Sequence, residues 1–400
     1  MHVLFLTSHL PYPPNSGGRL REFKLLNELK DKCKITLCVV SNTFQEDMKN
    51  LQYIRDMFVD AQIFRSYDNK LTINKYPEKM IRNFSVEARR YITAITLCKN
   101  NIDIIHLEGY YMFSNIANNI KIPVLLVEQN IEYFLVKQEM MLLSNIKYCE
   151  RNKKEYILNK KYERMAWQRC DLCITLTKED KLVINKYEKD VNCVLITNGI
   201  DNFPSKEGKK QDITKKMNKI DYILYVGNFA YYPNVDAAIY LIDHIFPYIK
   251  NKYPEMKLYF VGNESDKILS KYKNDDIFIM GTVDDVSPFY INARLCVFPL
   301  RIGGGIKVKV LEALALGRFV VTTPIGAQGI ANIENSQLIV GNNTQELIEA
   351  VFFVLNMSKE EKLKRKKKTK LILSKFTTWR ETAKKFISQY EKLLKKKEKL

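Results

Sequence analysis

Short runs of aliphatic and β-branched residues recur along the chain, separated by longer stretches in which apolar residues return every three or four positions. The first period is that of strands buried on both faces, the second that of amphipathic helices. In the first half the strand-like runs are His2–Ser8, Lys34–Ser41, Ile102–Glu108, Ile122–Glu128, Leu172–Thr177 and Val191–Asn198. A second series follows at Tyr222–Gly227, Lys257–Gly262, Ile277–Gly281, Leu295–Leu300 and Arg318–Thr323. Strands alternating with helices predict βαβ units and parallel sheets. Between the series, Ile200 to Lys219 is polar and charged and carries Pro204 and Gly208, which reads as a linker. The pattern therefore predicts an α/β protein with two doubly wound parallel-sheet domains.

Other segments refine this reading. Phe134 to Gln168 is rich in Lys and Glu and predicts one or two helices, with Met140 to Leu143 expected in a core. Gly17 and Gly18 precede a helix whose Leu20, Phe23 and Leu26 are expected to face inward, leaving Arg19 and Arg21 near its positive end. Near the end, Ser358 with Glu361 and Thr378 with Glu381 form capping boxes that start helices. After the second, Trp379, Ala383, Phe386, Ile387, Tyr390 and Leu394 share one helical face. Such a basic amphipathic helix either docks on its own protein or lies on an anionic membrane surface, and the first reading is preferred.

Four hundred residues exceed what one core organises, and 46% apolar with 27% charged residues suit a folded, water-soluble protein. No apolar run is long enough to span a bilayer and the start lacks a secretory leader, so a cytoplasmic location is expected. The eight cysteines sit mostly in apolar runs and are expected to be reduced and buried. The pair Cys170 and Cys173 has no second pair at zinc spacing and opens a strand, so a structural role is favoured over a metal or redox one. A net charge of +19 invites anionic partners, but the lysines are not interleaved with aromatics and no nucleic-acid recognition motif is present.

The chemistry is expected in loops after strands, because ligands of open α/β sheets bind at the carboxyl ends of strands. After the Leu295–Leu300 run come Arg301 and three glycines, Gly303, Gly304 and Gly305, and helical periodicity resumes around Ile306. A glycine turn opening a helix presents backbone N–H groups and the positive end of the helix dipole to a phosphate. Ile306, Val310 and Leu314 share the buried face of that helix, and Gly317 stops it. Lys309 and Glu312 share another side. They read either as a surface ion pair or as a phosphate cation beside a carboxylate that accepts two sugar hydroxyls.

These pieces, with "PNSGGRLREFKLLNELK", "DIIHLE", "VLLVEQNIEY", "DLCITLTKEDK", "VLITNGID", "YVGNFAYYPNVDAAIYLI" and "FTTWRETAKKFISQY" in order, resemble glycosyltransferase family 4, retaining enzymes of the GT-B architecture. The resemblance implies two Rossmann-like domains facing across a cleft: residues 1–203 on the acceptor side, 204–375 binding a nucleotide sugar, and 376–400 a helix returning to the first domain. It implies a nucleoside-diphosphate sugar donor, a glycan or lipid-linked acceptor, and work in surface polysaccharide biosynthesis, with peripheral contact to an anionic inner membrane face left open. Glu312 matches the second glutamate of the family's two-glutamate motif, which holds the ribose; the first falls on Gly304, leaving the donor sugar open. Gly227 and Asn228 match a donor loop whose usual Arg and Lys are missing, so Arg301 and Lys309 are candidates for the lost charge, while Asn234 is expected to cap the next helix with Asp236 in its first turn. Gly17, Gly18, Arg19 and Asn198 match acceptor-side or hinge positions. His106, Glu108 and Gln129 are the catalytic candidates, Gln129 standing where relatives often have a histidine; a buried structural role for His106 is the stronger alternative.

A front-face retaining mechanism asks for orientation and charge stabilisation, not for a nucleophilic side chain. No metal and no cofactor are expected; the adjacent Asp284 and Asp285 point different ways. A nucleotide-sugar epimerase of the same build is the rival enzyme, and it needs carboxylates poised for proton transfer that the sequence does not offer.

Overall fold

The computed structural model describes residues 1–66, 75–97, 102–142, 146–200, 220–330 and 333–397. The linker reading falls almost wholly on 201–219, outside the described residues. The chain divides into two compact units, one of residues 1–14, 18–199 and 377–400, the other of 200–376 together with 15–17.

The first unit holds a parallel sheet of seven strands: β1 (His2–Thr7), β2 (Lys34–Ser41), β3 (Asp60–Arg65), β4 (Ile104–Glu108), β5 (Val124–Glu128), β6 (Leu172–Thr175) and β7 (Cys193–Leu195). Their order is β3-β2-β1-β4-β5-β6-β7. Alternate residues of β1 feed opposite faces: Val3 and Phe5 join one buried cluster, Leu4 and Leu6 the other. A sheet covered on both faces explains why its strands read as unbroken apolar runs. β3 escapes the pattern, because it is an edge strand and five of its six residues are partly exposed or more.

The helix Trp379–Lys397 completes this unit. It places Trp379, Ala383, Phe386 and Tyr390 in the cluster of Val3 and Phe5, so its apolar face is spent on its own protein. Thr378 starts it with a reciprocal capping box, its hydroxyl accepting from Glu381 N–H at 3.2 Å while Glu381 accepts from Thr378 N–H at 2.8 Å. Gly199 lies against this start. A Cβ there would fall 2.5 Å from the backbone of Trp379.

Several expectations need correction. The helix Gly17–Leu29 begins at the glycines; Leu26 is buried and Phe23 packs partly buried against the same cluster, as expected, whereas Leu20 is not fully buried and Arg21 and Glu22 are. The Phe134–Gln168 stretch is two helices, within what was expected: Glu132–Leu142 and Ile146–Arg169. Met141 at the end of the first is 78% exposed and Leu142 36%, so these two are surface and not core, and Leu143 lies outside the described residues. Cys170 directly follows the second helix, its Sγ 3.2 Å from the Trp167 carbonyl oxygen, while Cys173 is buried in β6.

The second unit holds six parallel strands: β8 (Tyr222–Val226), β9 (Lys257–Val261), β10 (Ile277–Ile279), β11 (Leu295–Phe298), β12 (Val320–Thr322) and β13 (Leu338–Val340), in the order β10-β9-β8-β11-β12-β13. β13, a three-residue edge strand, was not legible in the pattern. One buried cluster runs through the unit. Both sheets reverse strand order once: between β1 and β4 in the first, between β8 and β11 in the second. At such a switch point neighbouring loops part and leave a crevice at the carboxyl ends.

Candidate functional site

In the second unit the loops that flank the switch point are those after β8 and β11. The β8 loop begins at Gly227, whose N–H donates to Val261 O at 3.0 Å, and it passes so close to β9 that a Cβ on Gly262 would sit 2.0 Å from Gly227 O. Asn228 folds the loop on itself, its Oδ1 accepting from Ala230 N–H and from Asn263, both at 3.1 Å. The next helix starts at Tyr232. Asn234 is inside it and does not cap it. Its amide donates to Asn228 O at 2.8 Å, and its Oδ1 accepts from Lys309 Nζ at 2.6 Å. Asn234 thus ties the β8 loop to the helix that follows β11.

That helix is Val308–Ala315, later than Ile306 by two residues. The intervening residues form a clasp that the sequence did not reveal: Lys307 Nζ donates to Gly304 O at 2.7 Å and to Gly305 O at 2.9 Å. Gly305 adopts φ +63, the left-handed region where side chains are strained. The first intrahelical bonds run from Val310 and Leu311 to Lys307 O, so the amides of Val308 and Lys309 form the positive end of the helix. Ile306, Val310 and Leu314 are buried as expected. Gly317 (φ +71) closes the helix, with Arg318 N–H on Ala313 O at 2.8 Å and Gly317 N–H on Leu314 O at 3.0 Å, the paired bonds of a Schellman motif.

Lys309 makes no ion pair with Glu312. Its ammonium reaches back over the ring of Tyr225, 4.4 Å from the centroid, and donates to the Tyr225 hydroxyl at 3.1 Å. Glu312 accepts from the Tyr290 hydroxyl at 3.5 Å. Arg301 is engaged elsewhere in the same unit: it grips Asp236 with two N–H groups, Nε at 3.0 Å, and stacks 4.4 Å above Tyr240. Of the two candidate cations, Lys309 alone keeps neutral partners.

The switch point of the first sheet carries a buried polar network. His106 on β4 is fully buried, its Nε2 2.9 Å from Glu108 Oε1 and its Nδ1 2.5 Å from the Tyr390 hydroxyl. Arg21 donates to Glu108 Oε2 at 2.7 Å, and Gln129 donates to the same oxygen at 2.9 Å. The structure therefore brings His106, Glu108 and Gln129 together. It adds Glu22, which accepts from Gln129 at 3.2 Å and from Thr7 at 2.7 Å and faces His9 Nε2 at 3.3 Å. Burial opposes ionisation of Glu108, but Arg21 and His106 outweigh it and hold its carboxyl down to about 2. Burial also pulls the His106 imidazole below its ordinary value, keeping it neutral.

Of the other acceptor-side candidates, Gly18 alone is seen against this network. Gly18 packs against Gln129 and His9, at 3.5 Å and 3.6 Å from where its Cβ would be. Gly17 is the exposed first residue of its helix. Arg19 donates to Asp47 at 3.2 Å and to Tyr12 O at 3.3 Å. Asn198 is buried in the loop after β7, and its Oδ1 has no partner among the described residues.

Residues 220–357 match the family model described as Glycosyl transferases group 1. The chain is 24% identical over 363 residues to the "Uncharacterized 44.6 kDa protein in cps region" of Klebsiella pneumoniae, an alignment covering 85% of this chain and 87% of that protein. In structure it is similar to the sucrose-phosphate synthase of Thermosynechococcus elongatus, with TM-score 0.71, 13% identity and coverage of 98% and 99%. It is similar also to Anabaena Alr3699/HepE in complex with UDP-glucose, with TM-score 0.67, 13% identity and coverage of 97% and 100%. The two Rossmann-like units and these likenesses over nearly the whole chain define a protein of GT-B fold. Its second unit carries a glycosyltransferase group 1 domain.

Proposed function

We propose that the protein is a retaining, metal-independent glycosyltransferase that moves a sugar from a nucleoside diphosphate to a glycan or lipid-linked acceptor in surface polysaccharide biosynthesis. The observation that carries this reading is the helix after β11, which brings its amide end, Lys309 and Glu312 to the switch point of the second sheet. Amides and ammonium suit the diphosphate, and the carboxylate suits the two hydroxyls of a ribose. A UDP-glucose complex of a structural neighbour supports a donor of this class, and the cps-region relative supports the polysaccharide setting.

In this reading residues 204–375 hold the donor, residues 1–203 take the acceptor, and residues 376–400 belong with the acceptor side. The departing diphosphate accepts the acceptor's proton in a front-face attack, and the protein supplies position and positive charge. Glu108, clamped by Arg21, His106 and Gln129, fixes the polar surface on the acceptor side without itself giving up a proton. The work is assigned to the cytoplasm, at the inner membrane face when the acceptor is lipid-linked.

A thermal-shift panel of UDP, GDP and ADP tests the reading. A nucleotide at about 100 times its dissociation constant adds roughly 2.7 kcal/mol of stability. Glu312→Ala is expected to abolish that protection while its melting without ligand stays close to the parent's. Protection that survives unchanged in this variant, or a wild-type protein indifferent to every nucleotide, would overturn the assignment.

A further inference from the structure

Lys309 holds a positive charge where little stabilises it. Its two hydrogen-bond acceptors, the Asn234 carbonyl at 2.6 Å and the Tyr225 hydroxyl at 3.1 Å, are neutral, and its ammonium lies between the rings of Tyr225 and Phe298, 4.4 Å and 5.2 Å from their centroids. Burial keeps the Tyr225 phenol well above its ordinary range, so it offers no anion.

The charged groups around Lys309 do not repair this. On its own helix Lys307 repels it and Glu312 attracts it, but Glu312 makes no ion pair with it among the described residues. From the helix after β8 comes Asp236, whose two oxygens are taken by Arg301 of the β11 loop. From the helix Ser287–Asn292 comes Tyr290, whose hydroxyl is turned to Lys309 O at 3.4 Å and to Glu312. Desolvation, then Lys307, pull the Lys309 amine down to about 7. Near neutral pH Lys309 therefore exists as a mixture of amine and ammonium until an anion joins it.

A diphosphate at the helix end brings the missing counter-charge. We propose that Lys309 receives the donor's diphosphate and that nucleotide binding is coupled to the uptake of one solvent proton by its amine. The balance is simple: free amine, one proton and the nucleotide anion become ammonium paired with the anion, and no covalent bond changes. The Asn234 carbonyl that now holds Nζ orients it in both states. The inference rests on the donor-site reading above and goes further by making that site sensitive to pH.

Calorimetric titration of the full chain with the nucleotide that protects it, at one pH near 8 in PIPES and in Tris, tests this. Different buffer ionisation heats should give different apparent enthalpies, corresponding to uptake of close to one proton; the difference should shrink at pH 6, where Lys309 is already charged. Lys309→Arg, charged at every working pH, should still bind and should show only the nucleotide's own proton exchange, which serves as the baseline. Wild-type affinity should weaken by up to tenfold per pH unit above about 7, a readout that stands even if the arginine variant misfolds. Binding with the same buffer dependence in wild type and Lys309→Arg, or with an affinity flat from pH 7 to 9, overturns the proton coupling alone. Failure of every nucleotide to bind overturns the donor site itself.

Discussion

The Nδ1 atom of His106 lies 2.5 Å from the hydroxyl of Tyr390, a residue 284 positions later in the chain. Glu108 is ionised and can only accept, so the single N–H of the neutral imidazole belongs on Nε2, and Nδ1 accepts from Tyr390. Tyr390→Phe would leave that ring nitrogen buried and unpaired. A loss of about 1 to 3 kcal/mol is expected, measured by urea unfolding, with the fold retained.

The same network sets the response to acid. His106 has a folded-state value below its unfolded one, and Glu108 stands at about 2 against an ordinary 4.5. Both groups bind more protons when the chain is unfolded, so the stability they contribute is present at neutral pH. It is lost first as pH falls below about 6.5 and then from about 4.5 toward 2. Glu108→Gln should be less stable at pH 7 but flatter in that lower window, as followed by thermal melts across pH.

A second pair of buried carboxyls acts in the opposite direction. Glu128 accepts from the Trp167 indole at 2.8 Å, and Glu163 accepts from the N–H groups of Glu132 and Tyr133 at 2.8 and 3.1 Å. Burial, with each facing another carboxylate, pushes both well above the usual range. Their stabilising contribution is complete below the ordinary carboxylate value and fades as pH rises. Glu128→Gln keeps an acceptor for Trp167, so its stability relative to wild type should increase from pH 5 to pH 8.

The glycines at the β8 and β11 loops should tolerate substitution very differently. Gly262→Ala would drive a Cβ to 2.0 Å from Gly227 O at φ +133 and should cost more than about 3 kcal/mol together with nucleotide protection. Gly305→Ala, at φ +63, should cost about 1 to 2 kcal/mol. Gly304 is not among the glycines at positive φ. Gly304→Glu should therefore fold with a melting temperature close to wild type, and sugar-nucleotide affinity measured beside that of the bare nucleotide would show whether a carboxylate there grips the sugar.

The strand runs and the glycine turn were legible because they follow from local physics: strands buried on both faces must be apolar throughout, and a helix opening needs residues free to bend. β3 and β13 were missed because edge strands are partly solvated and lose that signature. The site's finer structure depends on residues distant in sequence. Asn234 reads as a cap until Lys309, 75 positions away, is seen on its carbonyl. Lys307 closes on Gly304 and Gly305, a contact that no spacing announces. Glu22 drew no notice in the sequence, yet it is fully buried among Thr7, His9 and Gln129. No periodicity encodes such pairings.

The helix Trp379–Lys397 has a consequence for how the protein is made. It fills a core begun at Val3 and Phe5, so that earlier segment waits with an open hydrophobic seam until this much later helix is translated. A stalled or prematurely terminated chain would leave that seam uncovered. Truncation before Thr377 should therefore yield a chaperone-bound or aggregating product, not a shorter enzyme.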